Sequence, residues 1–276
     1  MSAGRVSFQP EAAPVYRDVV EGGPPILEFD SDPGAVIEPH MVRQRLDVPI
    51  RAVPCFFSDV VQRVCVDAER EVLTQLQSAH GVHPVFLVEW EGEPVAVFHP
   101  GVGAPLAGMF LEEMIATGCR IFVAVGGAGG LVPELTVGHV VLPTSAVRDE
   151  GTSYHYLPAG RKVGPDPQSL AAIERVLGAR HVPYLTGKSW TTDAPYRETK
   201  GKVGRRVTEG CLAVDMEAAA LFAIARFRGA QLAVMLAAAD DLSQEQWDDR
   251  GFIPDTSVRE RLFWLAVEAC VSIEPS

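Results

Sequence analysis

Two carboxylate positions in this chain come directly after apolar runs. Glu217 follows CLAVDM (211–216), and Asp240 with Asp241 follows QLAVMLAAA (231–239). A carboxylate at the end of a buried strand can accept hydrogen bonds from hydroxyls, hold or deliver a proton, or bind a hard cation. A hard cation needs several oxygen ligands, and no histidine or carboxylate spacing here supplies them, so no metal is expected. Structural roles compete with the chemical ones. Glu217 at a helix start sits well with the helix dipole, and the Asp pair could be a solvated cap or turn. His139, His155 and His181 stand singly, as structural histidines do. Two glycine-rich segments, PGVG (100–103) and GGAGG (126–130), suit tight turns between strand and helix or an anion held on backbone N–H groups. Gly101 and Gly103 are followed by Leu106 where a dinucleotide-binding loop needs a third glycine, which argues against a nucleotide-linked dehydrogenase.

These residues need elements to aim them. Apolar period and punctuation predict a strand over 51–57, an amphipathic helix over 58–79 and strands over 85–90 and 94–99 parted by Glu91-Gly92-Glu93. They then predict a helix from Pro105 to Thr117 stopped by Gly118, and a buried strand over 120–126 running into the glycines. A strand over 138–143 follows, with a helix opened by Asp166-Pro167 and a strand over 182–191. After the loop TTDAPYRET come a strand over 211–216, a helix from Glu217 to Gly229, a strand over 231–239 and a last helix opened by Ser257 and Glu260. Alternating strands and helices predict a mainly parallel sheet covered on both faces. A site in such a sheet lies beyond the carboxyl ends of its strands, where the glycine run, Met216-Glu217 and Asp240 all fall.

Composition narrows the class. The 276 residues suffice for a large core, and the 47% hydrophobic and 22% charged fractions are those of a globular protein. A net charge of −12 without a basic run disfavours nucleic-acid binding. Five scattered cysteines without a C-x-x-C pair read as reduced, buried thiols. No apolar stretch reaches the ~20 residues of a membrane helix, and the start lacks a signal-peptide core, so a cytoplasmic protein is expected. Residues 1–25, polar and rich in Pro and Gly, read as a loose arm before a single domain over 26–276.

Taken in order, FHPGVGAPLAG, FVAVGGAGGL, VGHVVLPTSAVRDEG, SWTTDAPYRET, VDMEAAALFAIA and AAADD resemble the nucleoside phosphorylase/nucleosidase superfamily over about residues 25–275. VDMEAAA is the most specific segment. The resemblance implies an α/β, three-layer αβα sandwich with a central mixed, mainly parallel sheet. It also implies cleavage of the bond between a nucleobase and its ribose through an oxocarbenium-like transition state.

Residue by residue, the resemblance implies that Met216 packs on the sugar and that Glu217 accepts its 2′ and 3′ hydroxyls. Asp240 matches the aspartate that protonates or hydrogen-bonds a purine N7, which favours purine-type substrates. The base-binding loop matches Ser189–Thr199, with Asp193 and Tyr196 in frame. Pro195 stands where the family places a phenylalanine, leaving Tyr196 or Trp190 as the stacking ring. The residues by which uridine phosphorylases read uracil have no clear match in YRETKGK. Gly126 and Gly127 match the loop beneath the sugar and phosphate. The phosphate arginines are replaced by Ala124 and by Ala35 of Ser31-Asp32-Pro33-Gly34-Ala35, which tips the expected acceptor slightly toward water, with Arg51 or Arg148 as alternative phosphate ligands. Members commonly pair as homo-oligomers, dimers or trimers of dimers, with one subunit capping the other's site. His155 and Tyr156 of Tyr154-His155-Tyr156 match that cap, or else form an exposed edge hairpin. No cofactor is implied, only inorganic phosphate as co-substrate for a phosphorylase. The competing reading is a nucleoside-binding or sensing protein of the same fold without catalysis. Retention of both Glu217 and Asp240 argues against it, because binding alone needs no proton donor.

Overall fold

A computed structural model describes residues 23–135, 138–244, 246–249 and 256–275. The chain runs through α1 (Pro39–Val42), β1 (Arg51–Pro54), α2 (Ser58–Val61), β2 (Val72–Ser78), β3 (Gly81–Trp90), β4 (Glu93–Phe98) and α3 (Ala104–Thr117). It continues through β5 (Ile121–Gly130), β6 (Val140–Asp149), β7 (Lys162–Val163), α4 (Pro167–Ala179), β8 (Tyr184–Thr192) and α5 (Lys200–Thr208). It ends through β9 (Cys211–Asp215), α6 (Ala218–Arg228), β10 (Gln231–Asp241) and α7 (Thr256–Val271). Most of the loose arm expected over 1–25 lies outside the described residues.

The strands join one mixed sheet with β5 at its hub. β5 pairs in parallel with β1 and β10, and antiparallel with β9 at its glycine end. From β10 the pairing passes through β6 and β8 to β9 and so returns to β5, while β1, β4, β3 and β2 extend the other side as a wing. The hairpin between β3 and β4 turns through Glu91 and Gly92 with φ of 52° and 85°. Two positive φ values mark the turn whose twist matches its strands.

Helices cover both faces. On one side α3 and α6 bury Phe110, Leu111, Phe222 and Ile224 against the sheet; on the other α4 and α7 bury Ile173, Leu177, Phe263 and Cys270. Apolar burial at about 25 cal/mol per Å² makes these two layers the main source of stability. The Asp166 carboxylate caps α4 by accepting the Ser169 N–H at 2.8 Å. All five cysteines are buried and unbridged. Among the described residues, no helix is long and apolar enough to cross a membrane.

Two segments depart from the sequence reading. The helix expected over 58–79 stops early: a turn of α2, a π-helical turn over Gln62–Val66 and Glu69 at φ 50° lead into β2. β2 pairs antiparallel with β3 and buries Leu76 completely. Strand pairing satisfies the backbone there and overrides the helical period. Conversely, α5 goes unread, because Gly201 and Gly204 depress its propensity. Thr199 caps it through a bond from the Lys202 N–H at 3.3 Å.

Candidate active site

The glycine end of β5 explains how the carboxylates meet. Gly129 is opposite Val214 of β9 on one side and Asp240 of β10 on the other. A Cβ on Gly129 would come within 2.5 Å of Leu242 Cδ1, 2.9 Å of Val214 Cγ1 and 3.2 Å of Asp240 Oδ1. Glycine is therefore needed there for close approach of the two flanking strands. Beyond Val214 the chain reaches Met216 and Glu217. On β10 the register slips by one residue, with Ala238 opposite Ala128 but Asp240 opposite Gly129, so Ala239 is an inserted bulge. A bulge re-aims the side chains beside it, and here Ala239 and Asp240 both face the hollow. That hollow has a volume of about 330 Å³. Gly126, Gly127, Met216, Glu217 and Asp240, five of the residues singled out from sequence, line it together.

Glu217 is held by its neighbours on both sides. Asp215 Oδ1 accepts the N–H groups of Glu217 and Ala218 at 2.9 and 2.7 Å and the Thr191 hydroxyl at 2.9 Å. Asp215 thus caps α6 and leaves the Glu217 side chain free to face the cavity. Glu217 Oε1 accepts the Gly103 N–H at 2.6 Å, and Gly103 has φ 92°, a conformation that suits glycine. The PGVG loop therefore gives this N–H to a carboxylate of the chain itself. Burial raises the Glu217 carboxyl to about 7; the Asp215 charge adds to the rise and the Gly103 bond opposes it. The ionised form is the one that accepts hydroxyls, so acid removes it. Turnover of a ribonucleoside is expected to show an acid limb near pH 7 in kcat/KM, falling about tenfold per pH unit below it. A flat pH–rate profile between pH 5 and 7 contradicts this.

At the opposite wall, Asp240 Oδ2 accepts the Trp247 indole N–H at 2.7 Å. Glu198 lines the same cavity. Its carboxyl is raised to about 7, first by burial and then by the Asp240 charge. Phe56 also lines the cavity, close against Gly126. The sequence reading did not single out Glu198, Trp247 or Phe56. Glu198 at least lay within the segment matched to base binding; Phe56 had only its place at the end of a strand.

The remaining residues expected at the site are elsewhere. Trp190 is fully buried in β8, donates its indole N–H to Asp149 Oδ2 at 2.9 Å and has Arg206 over its ring at 5.3 Å. It is a core residue and cannot stack on a base, which corrects that expectation. Tyr196 is 99% exposed and lines a neighbouring hollow, while Pro195 lines both. Asp193 is exposed and accepts the Gly151 N–H at 2.8 Å, tying two loops together. His155 is exposed at the end of a single 3-10 turn, and Tyr156 meets Phe227 edge-on at 5.6 Å; neither lines the cavity within one chain.

The proposed phosphate ligands are also occupied. Arg51 reaches the Ile273 carbonyl at 3.2 Å and Glu93 at 3.7 Å. Arg148 donates to the Ser153 hydroxyl and to the carbonyls of Ser153, Leu157 and Pro158 at 2.7–3.1 Å. It fastens the 153–158 segment to β6. Arg148→Met is expected to cost about 3 kcal/mol in denaturant unfolding, since buried acceptors lose their donors. An unchanged unfolding midpoint would remove that role. Ala124 is buried in β5, and Asp32 and Ala35 are in an exposed segment that does not line the cavity. Among the described residues the cavity lining holds Glu198, Asp215, Glu217 and Asp240 and no Lys or Arg.

Comparison with known proteins places this geometry. The phosphorylase superfamily model matches residues 52–262. A guanosine phosphorylase of Halorubrum lacusprofundi is 27% identical over 195 residues, covering 70% of this chain and 78% of that protein. A uridine phosphorylase of Treponema pallidum is 31% identical over 188 residues, covering 64% of this chain and 72% of the relative. The crystal structure of a uridine phosphorylase from Vibrio fischeri superposes with a TM-score of 0.72 at 25% identity, covering 85% of this chain and 97% of that one.

Proposed function

The chain belongs to the phosphorylase superfamily, and from that premise we propose that it cleaves the N-glycosidic bond of a purine ribonucleoside, with water as the acceptor. The observation that carries this reading is that Glu217, just beyond β9, and Asp240, on β10, follow from strands that flank the same glycine and line one cavity.

In this reading the ribose lies over Met216 with its 2′ and 3′ hydroxyls on the Glu217 carboxylate. As the glycosidic bond lengthens, positive charge builds on the sugar, and a fixed carboxylate beside it stabilises the transition state more than the ground state. The base leaves with the bonding electrons. Asp240 meets its N7 edge and hydrogen-bonds or protonates it, a contribution of roughly 10²–10⁴-fold. A cavity lined by carboxylates favours the cationic sugar.

The same lining bears on the acceptor. A phosphate dianion would enter beside carboxylates without a lining cation among the described residues, losing the charge-assisted bonds that normally hold it. Water meets no such cost. Phosphorolysis is the second reading, favoured by the activities in the names of the guanosine and uridine phosphorylases that resemble the chain. Incubation with a purine and pyrimidine nucleoside panel, with and without phosphate, separates the readings. Free purine released without phosphate, with ribose as co-product, is expected. Release that requires phosphate and yields ribose 1-phosphate selects phosphorolysis. Preference for uridine overturns the purine assignment, and saturable binding without release selects a sensor.

A further inference from the structure

The cavity between the two carboxylates adjoins a second hollow. That hollow is larger, about 940 Å³, and Pro195, Glu198, Asp240 and Leu242 line both. Beyond this shared rim the walls are mostly apolar, with Leu131, Val132, Val203, Val207 and Trp247 among them. Trp247 is 68% exposed although its indole N–H is fixed on Asp240. Gly204 of α5 also lines this hollow, and a Cβ there would meet nothing within 4 Å. A simple nucleoside in the first cavity leaves these apolar walls in water, where their burial has most to gain.

Purine chemistry fixes which part of a ligand would cross the rim. N7 and the 6-substituent lie on the same edge of the ring. A purine whose N7 meets Asp240 therefore directs its 6-substituent past Asp240 and Glu198. We propose that the second hollow receives an apolar group carried on the exocyclic 6-amino nitrogen of a purine ribonucleoside, with the Glu198 carboxylate accepting the remaining N–H. Among the described residues the Glu198 side chain makes no hydrogen bond or ion pair; its half-buried carboxyl feels the Asp240 charge and, more weakly, the opposing charge of Lys202. A partly desolvated carboxylate gains from a hydrogen-bond donor, and a ligand N–H supplies one. This inference rests on the reading that puts the sugar at Glu217 and the base at Asp240.

Calorimetric titration of the full chain with adenosine and with the riboside of 6-benzylaminopurine tests it. The benzyl compound is expected to bind about tenfold tighter. Gly204→Phe fills the hollow and is expected to abolish that advantage while leaving adenosine affinity unchanged. Val207→Trp, at a position 38% exposed, serves as a second filling variant if the first unfolds. Equal affinity for both ligands in the parent protein overturns the inference, as does an advantage that survives filling. Base release from adenosine, followed by chromatography, separates this outcome from the parent reading. Release without a benzyl advantage sinks the hollow and leaves the reaction standing. A benzyl advantage without release sinks the reaction and leaves the hollow as a binding site. Binding of neither compound overturns both.

Discussion

Glu217→Ala lowers kcat/KM for a purine ribonucleoside by about 10³-fold. Two effects combine in that figure. The variant loses charge-assisted bonds to two hydroxyls, worth roughly 1.5–3 kcal/mol each. It also loses the negative charge that faces the developing cation. The specific signature is in the sugar: the wild type should favour ribosides over 2′-deoxyribosides, and the variant should treat them nearly alike. Glu217→Gln keeps an acceptor for Gly103 but removes the charge, so it is expected to lose most of the rate as well.

The same substitution moves stability in the opposite direction. The Glu217 carboxyl is raised from 4.5 to about 7 in the folded chain. Between those values the native state holds a proton that the unfolded chain has released, so stability falls as pH rises through this window. Above about pH 7 the whole cost is present. Glutamine carries no such cost, and Glu217→Gln is expected to be more stable than wild type at pH 8 by on the order of 2 kcal/mol, with little difference at pH 4.5. Thermal melts at the two pH values check this. A glutamine variant that melts no higher at pH 8 contradicts the burial of an uncompensated charge.

Asp240→Asn lowers kcat for purine nucleosides by about 10²–10⁴-fold with little change in nucleoside affinity. Asparagine keeps an oxygen for the Trp247 N–H, so the scaffold is retained while the carboxyl is lost. The sugar contacts belong to Glu217, at the start of α6, and should persist. A riboside with a nitrophenolate leaving group needs no proton on departure. Its cleavage should therefore be nearly unaffected, and equal losses for both substrates would assign Asp240 to structure instead.

Several parts of the site were legible in the sequence because they follow buried strands. CLAVDM and QLAVMLAAA had to be core strands, so Glu217 and Asp240 had to emerge at their ends. The glycines of 126–130 were read as turn or anion loop, yet they extend β5, and Gly129 admits Leu242, Val214 and Asp240 at contact distance. That requirement arises between strands remote in sequence and leaves no local pattern. Trp190 misled because an aromatic in a binding segment looks available, whereas the end of β8 is buried on both faces and Trp190 packs with Leu131, Val147 and Val214. Glu198, Phe56 and Trp247 are aimed by loop ends and by the side chains they meet, which period and spacing do not encode. The 58–79 helix failed for a related reason: pairing with β3, not local preference, decides residues 72–78.

A crystal structure of Asp240→Asn with an intact purine ribonucleoside bound offers the most direct test of a shared cavity. The 2′ and 3′ hydroxyls should lie about 2.6–3.0 Å from the Glu217 carboxylate, with the N7 edge of the base in hydrogen-bond reach of residue 240. A sugar bound away from Glu217, or a base without a polar contact at position 240, contradicts the proposed chemistry.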